Sequence, residues 1–315
     1  MLLFMKTLHF TNAWHATSGG IATFYRALLA AANERQHLIR LVVPDERTWV
    51  EETGRFGRIY HLRAPRAPFN RNYRVLYSHR SLFPGTLIHS ILADERPDLV
   101  EVCDKYTLNY LAGLLRMRWI PGLRIRPAII ALSCERMDDN VAAYITARPL
   151  GRWLSRLYMK WLYFPLFDHH ITVSGYTAEE LSVAASGHRV QRGVWIRPMG
   201  VDLEGFSPGL RHPERRRELI QRLGGGADTA VLLYAGRLVP EKNLPLLVET
   251  MEALRRDARR DYRLLVVGDG IRAPWMREEC RRRVPGAVTF QGHVGSRESL
   301  AVLYANADAF LHPNP

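Results

Sequence analysis

An arginine and a lysine stand five residues apart in Gly236-Arg237-Leu238-Val239-Pro240-Glu241-Lys242-Asn243, directly after the apolar run Ala230-Val231-Leu232-Leu233-Tyr234-Ala235. A planar guanidinium fork and a compact ammonium charge on one turn suit a diphosphate. Gly236 permits the turn that brings both cations to the end of a strand. Taken alone, the segment reads equally as a solvated loop in which Glu241 pairs with one cation. Gly19-Gly20 lies between a strand-like run and a helix-like one. Glycine lets a phosphate approach the backbone, and a helix N-terminus offers unpaired N–H groups and a favourable dipole. A tight turn with no ligand fits these two glycines as well. Gly268-Asp269-Gly270 lacks the third glycine of a dinucleotide fingerprint, and no suitable acid ends the next strand, which argues against NAD. The adjacent acids of Met137-Asp138-Asp139 read as a helix start before they read as metal ligands. His169-His170 has no further ligands nearby in the sequence and reads as structural.

The elements that must position these residues follow from apolar patterning. Thr7-Leu8-His9-Phe10 reads as a buried strand. The loop Ser18-Gly19-Gly20 follows, then a helix carrying Ile21, Phe24, Leu28 and Leu29 at helical spacing. The run Leu38–Pro44 is the next strand, and strand, glycine turn, helix, strand is a βαβ unit of a parallel sheet. Residues 53–85, with their arginines, tyrosines and Pro65, Pro68 and Pro84, read as irregular. Strands resume at Leu99–Val102 and Ala128–Leu132, and a helix over 152–164 leads to a strand at His170–Val173. A second series has strands at 230–235, Arg263–Val267, Val288–Phe290 and Ala309–Leu311, with a helix over 244–256. The Gly/Pro/Asp junction near residue 200 divides the 315 residues into two Rossmann-like domains, 1–198 and a partial one, 199–315. The expected fold is α/β, with two such domains facing across a cleft. The second series ends after a strand with no closing helix, so the chain reads as truncated at its C-terminus and its second domain as incomplete. Ala309, Phe310 and Leu311 are expected to be buried on both faces.

The net charge is +13, and only four of the 44 basic residues are lysines. That balance points to a polyanionic partner, among nucleic acid, an anionic membrane or phosphorylated small molecules. No RNA-binding signature is visible, and nucleic acid would explain the charge but none of the motifs. No stretch approaches the roughly 18 apolar residues of a spanning helix. Met1-Leu2-Leu3-Phe4-Met5-Lys6 lacks both a basic leader and a small-residue cleavage site, which argues against a secretory signal. Cys103, Cys134 and Cys280 are odd in number and widely spaced, so they make neither a disulfide framework nor a zinc site. They fit a reducing cytoplasm. Arg152, Arg156 and Lys160 recur beside a stripe of Trp153, Leu157 and Trp161. That pattern suits an interfacial helix on anionic lipid, while a packed helix with a solvated basic edge is the plainer reading.

Taken together, an ordered set of segments resembles the family 4 retaining glycosyltransferases of the two-Rossmann "B" architecture. The set runs from Gly19-Gly20 through Ile171–Thr177, Gly200-Val201-Asp202 with Phe206-Ser207-Pro208, Gly236-Arg237-Leu238 with Glu241-Lys242, and Gly268-Asp269-Gly270. It ends in Phe290–Val294, Ala307-Asp308-Ala309 and His312-Pro313. The resemblance spans nearly the whole chain and is strongest over 170–313. It implies a nucleotide-sugar donor on the second domain, a hydroxyl acceptor (a lipid or a glycan) on the first, and retained anomeric configuration. By position, Gly236, Arg237 and Lys242 would hold the donor diphosphate, with Gly19 and Gly20 closing over it. Gly268 and the backbone near Val294 would flank the nucleoside. No metal and no cofactor is implied, because the two cations do the work of a magnesium ion. A cytoplasmic chain, peripheral at the inner face of a membrane, is the corresponding location.

Two departures qualify the resemblance. Many relatives carry a histidine just after the strand at 129–132, where this chain has Ser133-Cys134-Glu135-Arg136. Cys134 or Glu135 therefore takes that catalytic position. The family's paired-glutamate segment, which grips sugar and ribose, is expected beyond Pro315. Without it, the alternative to a transferase is a catalytically inactive remnant that binds nucleotide or polyanion.

Overall fold

The apolar run after Lys6 forms β1 (Lys6–Thr11), whose last four residues are buried. It opens a unit covering residues 1–200, and a second unit covers 201–315. A computed structural model describes residues 5–15, 19–68, 73–81, 83–144, 148–186, 193–257 and 259–313. Met1–Phe4, Ser18 and Pro315, which carried the leader, loop and chain-end expectations, lie outside these residues.

In the first unit, β1 is followed by α1 (Gly20–Arg35), β2 (Leu38–Asp45), β3 (Trp49–Thr53), β4 (Gly57–Arg63), α2 (Leu87–Glu95) and β5 (Leu99–Cys103). Then come α3 (Asn109–Met117), β6 (Ala128–Ser133), α4 (Met137–Tyr144), α5 (Arg148–Tyr158), β7 (His169–Thr172), α6 (Gly175–Ala185) and β8 (Val194–Ile196). The eight strands lie in the order β3-β4-β2-β1-β5-β6-β7-β8. Only the β3–β4 pair is antiparallel. The central strands are buried on both faces because helices cover both sides of a parallel sheet, and the polar His9 and Glu101 within them pair with each other at 3.1 Å. Leu8, Phe10, Val42, Val100 and Val102 are all inaccessible to solvent.

The stretch read as irregular is in part a hairpin. β3 and β4 pair Trp49 with His61 and Glu52 with Arg58 across the strands. The turn runs through Gly54 at φ +69°, a left-handed conformation that favours glycine. Polar residues obscure the period-two pattern in β4. His61 is buried there because Asp45 and Glu51 carboxylates lie 2.8 and 3.1 Å from its ring nitrogens and Trp49 stacks on it. The helix expected to run to residue 164 also differs. α5 ends at Tyr158, and one π-helical turn (Met159–Tyr163) and a 3₁₀ turn (Phe164–Leu166) follow. Pro165 has no N–H to continue an α-helical ladder. His170 is fully buried, stacked on Phe164, with Nε2 3.2 Å from that residue's carbonyl oxygen.

The second unit comprises α7 (Pro213–Arg222), β9 (Ala230–Ala235), α8 (Leu244–Asp257), β10 (Tyr262–Val267), α9 (Ala273–Arg283), β11 (Val288–Gly292), α10 (Arg297–Asn306) and β12 (Ala309–Phe310). Its sheet runs β11-β10-β9-β12, every pair parallel. The expectation that Ala309–Leu311 is buried on both faces fails. Ala309 and Phe310 are exposed and Leu311 is partly so, because among the described residues β12 pairs only with β9.

Asp308 ties that edge down. Its carboxylate accepts from the Val231 N–H (2.8 Å), Arg216 (2.7 Å) and Arg211 (3.0 Å). Burial raises its pKa, but these donors outweigh burial and hold it below the ordinary 3.8. The stabilisation is therefore present above that value and is lost as pH falls through the folded-state pKa. Chemical unfolding of the whole chain should show Asp308→Asn less stable by about 1 kcal/mol at pH 7. The gap should narrow towards pH 3, and a gap that stays constant with pH would remove the assignment.

Candidate functional site

In each sheet the strand order reverses at one point, and open parallel sheets bind ligands outside the carboxyl ends of the strands at that point. In the second unit the reversal falls between β9 and β12, the two strands that flank it on opposite sides of the chain's path. The Gly236–Asn243 segment leaves β9 there. The Gly236 N–H donates to the Val267 carbonyl at 2.9 Å, and the Gly268 N–H to the Gly292 carbonyl at 2.7 Å. The Leu238 N–H donates to the Asp269 carbonyl, and the Arg272 N–H to the Leu238 carbonyl, both at 2.9 Å. The exits of β9, β10 and β11 are thus laced together by backbone alone.

Two glycines make that lacing sterically feasible. A Cβ on Gly268, at φ +131°, would overlap the Gly236 carbonyl oxygen, and one on Gly270 would overlap the Leu238 carbonyl oxygen. Gly268 thereby acquires a packing reason beside the ligand role the resemblance implied. Leu238 is fully buried and anchors the turn. Tyr234, whose hydroxyl burial pushes up to about 12, donates to the Arg237 carbonyl at 3.0 Å.

Arg237 is held on this anchored backbone with its side chain about half exposed, 3.4 Å from Glu241. At that distance and exposure, this i,i+4 pair contributes little to stability. Lys242 closes the 3₁₀ turn Pro240–Lys242 and is partly exposed. The side chain of Val294 packs against the Val231, Leu233 and Val267 cluster.

In the first unit the strand order reverses between β1 and β5. Gly19 precedes α1 without a side-chain cap, and neither Gly19 nor Gly20 has any neighbouring atom where a Cβ would stand. Among the described residues no side chain caps the N-terminus of the 16-residue α1, which lies beyond the end of β1.

Cys134 and Glu135 follow β6 at the same end of the sheet. Cys134 Sγ lies 3.8 Å from Cys103 Sγ, and this contact together with burial drives the Cys103 thiol pKa well up. Both sulfurs join the apolar layer beneath α1. The Glu135 side chain is exposed. Its carbonyl oxygen accepts from Lys105 Nζ at 2.5 Å, and that ammonium is buried against Glu180 at 2.7 Å. Glu180 also accepts from the Met137 and Asp138 N–H groups. Lys105 and Glu180 thus set the turn that carries Cys134 and Glu135. Sequence reasoning missed both, and the one available signal was a lysine in a chain that otherwise uses arginine.

Cys134 is expected to be dispensable as a nucleophile, because the retaining transfer that the resemblance implies needs no thiol intermediate. Cys134→Ser should retain most of the parent's transfer activity. Loss of activity with intact folding, or a sugar–cysteine adduct seen by mass spectrometry, would overturn this.

Residues 229–315 match the family model described as Glycosyl transferases group 1. Over 313 residues the chain is 27% identical to the GDP-mannose-dependent alpha-(1-6)-phosphatidylinositol dimannoside mannosyltransferase of Mycobacterium tuberculosis, covering 99% of this chain and 74% of that protein. It is 32% identical over 219 residues to a GDP-mannose-dependent alpha-mannosyltransferase of the same species, covering 69% of this chain and 49% of the relative. Among solved structures, Anabaena HepE in complex with UDP and glucose superposes with a TM-score of 0.62 at 14% identity, covering 98% of this chain and 74% of that one. WaaG, a glycosyltransferase of lipopolysaccharide biosynthesis, gives 0.61 at 15% identity, covering 98% and 75%.

Proposed function

Starting from a chain that is a glycosyltransferase of the GT-B type, we propose that it moves a mannosyl group from GDP-mannose to a hydroxyl of a lipid-linked acceptor, with retention at the anomeric carbon. The observation that carries this reading is the Gly236–Lys242 turn, which sets two cations on an anchored backbone where the second sheet's strand order reverses. The relatives' names support the choice of GDP-mannose and of a phosphatidylinositol-linked acceptor. We assign the donor to the second domain, from about residue 199, and the acceptor to the first.

As the mannosyl–phosphate bond breaks, negative charge grows on the departing diphosphate. Arg237 meets it with a two-pronged donor and Lys242 with a point charge. Fixed cations that need no reorganisation stabilise that charge, so the assignment calls for no metal. Gly19 and Gly20 are assigned a second phosphate contact through the backbone N–H groups that open α1. Gly268 and the Val294 backbone are assigned to the nucleoside. Glu135 is the acidic side chain assigned to the acceptor side, on the turn that Lys105 and Glu180 hold. The reading puts the chain in the cytoplasm, at the inner face of a membrane that holds the acceptor.

Calorimetric titration with GDP, GDP-mannose and UDP-glucose tests the donor, and transfer of labelled mannose to phosphatidylinositol mannosides tests the reaction. Preferential binding of GDP-mannose and an α-linked product are expected. A β-linked product would end the retaining assignment, and failure to bind any nucleotide sugar would end the donor assignment. GDP binding with no transfer to any acceptor would favour the non-catalytic nucleotide-binding alternative.

A further inference from the structure

Two of the three cysteines meet at the carboxyl end of the first unit's sheet. Cys103 is the last residue of β5, and Cys134 is the first residue beyond β6, the neighbouring strand. The ladder between these strands pairs Val102 with Ala131, so Cys134 stands past its end. The turn there carries the Cys134 sulfur to 3.8 Å from that of Cys103. Cys103 is buried and fixed, in register with Thr11 of β1, whose hydroxyl donates to the Cys103 carbonyl at 3.4 Å. Cys134 is partly exposed. The pair thus has one sulfur that a small solute can reach and one shielded from it. The Cys134 contact and burial together hold the Cys103 thiol well above the ordinary 9.0, so Cys103 is not the sulfur that attacks first.

The turn itself is held in place. Lys105 Nζ donates to the Glu135 carbonyl at 2.5 Å, and Glu180 accepts from the Met137 and Asp138 N–H groups at 2.8 and 2.9 Å. A sulfur–sulfur bond is about 2.0 Å long, so closing one from 3.8 Å requires one side to yield. Cys103 is fixed in the ladder with β1, so the turn beginning at Cys134 is the side that moves. Glu135 moves with it. A bond made against that hold is easily reduced again, unlike a structural disulfide.

We propose that Cys103 and Cys134 form an oxidation site, at which a peroxide converts the two thiols to a reversible disulfide that displaces the Glu135 turn and slows transfer. The Cys134 thiolate attacks the peroxide and breaks its O–O bond, becoming a sulfenic acid, while the other oxygen leaves as water once protonated. The Cys103 sulfur then attacks the Cys134 sulfur and gives up its proton, and the sulfenic oxygen leaves as a second water. In sum the thiols lose two hydrogens and two electrons, and one peroxide is reduced to two waters. A thiol reductant reverses the bond by exchange. The bond stands on the geometry of the two sulfurs alone; its effect on transfer rests on the transferase reading and on the place given to Glu135.

Peroxide treatment of the full chain, followed by intact-mass spectrometry and peptide mapping, tests the site. The chain should lose about 2 Da, the two thiol hydrogens, with the Cys103 and Cys134 peptides linked. Cys280 is the internal control, a thiol buried in the second unit and pushed up to about 11 by that burial. It should remain free for alkylation after unfolding. Mannosyl transfer should fall on the order of 10²-fold, as for a group misplaced at the reacting centre, and return with dithiothreitol. Cys103→Ala, which removes the resolving thiol, should instead carry a sulfenic acid at Cys134 that dimedone traps. Three free thiols after peroxide, or a link made through Cys280, would overturn the oxidation site. A linked pair that transfers as fast as the reduced enzyme would overturn the control of transfer. An untreated parent that transfers nothing would count against the transferase reading, and the mass and peptide map would still decide the bond.

Discussion

Arg237→Ala is expected to lower kcat/KM for mannosyl transfer roughly 10²–10³-fold, the usual cost of losing one fixed stabiliser of transition-state charge. Ground-state donor binding should weaken much less, because on the proposed assignment Lys242 and the backbone still meet the diphosphate. Folding should be unaffected, since the guanidinium is half exposed and pairs only loosely with Glu241, at 3.4 Å. Glu241→Gln is the informative companion. Removing the carboxylate that competes for the guanidinium should leave donor affinity equal or better, whereas a structural ion pair would make both changes destabilising. Steady-state kinetics with both variants, checked by thermal unfolding, decides the matter. An Arg237→Ala enzyme within a few-fold of the parent would remove this residue from the diphosphate site.

The largest effect on stability is expected from Gly268→Ala. The residue sits at φ +131°, where a side chain is strained, and its Cβ would overlap the Gly236 carbonyl oxygen. That oxygen belongs to the turn that positions Arg237, so relief of the clash must separate the β9 and β10 exits or distort the turn. A loss on the order of 3 kcal/mol or more follows, combining backbone strain with overpacking against a rigid group. Donor binding should fall along with stability. Gly286→Ala provides the control, because that glycine also has positive φ, at +73°, but has open space at the Cβ position. It should cost only the smaller conformational term. Equal destabilisation by the two changes would show that close approach of the backbones is not what Gly268 serves.

Local patterning was enough for the strands buried on both faces. β6 and β9 are almost wholly apolar and β2 and β10 carry apolar runs of four, because a parallel sheet covered by helices leaves no solvated face, while β1, β5 and β7 hold buried polar residues (His9, Glu101 and His170) within the same pattern. The turn carrying Arg237 and Lys242 was equally legible, since glycine after such a run followed by two cations is contiguous in the chain. The β3–β4 hairpin was not, because its alternation is written in residues such as His61, which becomes burial-compatible only beside Asp45 and Glu51. β8, three residues long at the sheet's edge, has too few side chains to show a period.

What lay beyond the sequence are the contacts between distant segments. Lys105 meets Glu180, Cys103 meets Cys134, and Gly268 meets Gly236, each pair brought together by strand order. The two reversal points are likewise properties of strand order, which no window of residues contains. α5 makes the distinction plainest. Its spacing announced an apolar stripe and a basic one, but whether the stripe faces core or solvent depends on which side the neighbouring elements pack. They pack against Gly151, Ser155 and Met159, because those small or slender side chains let the helix lie close, and so the tryptophans remain outside.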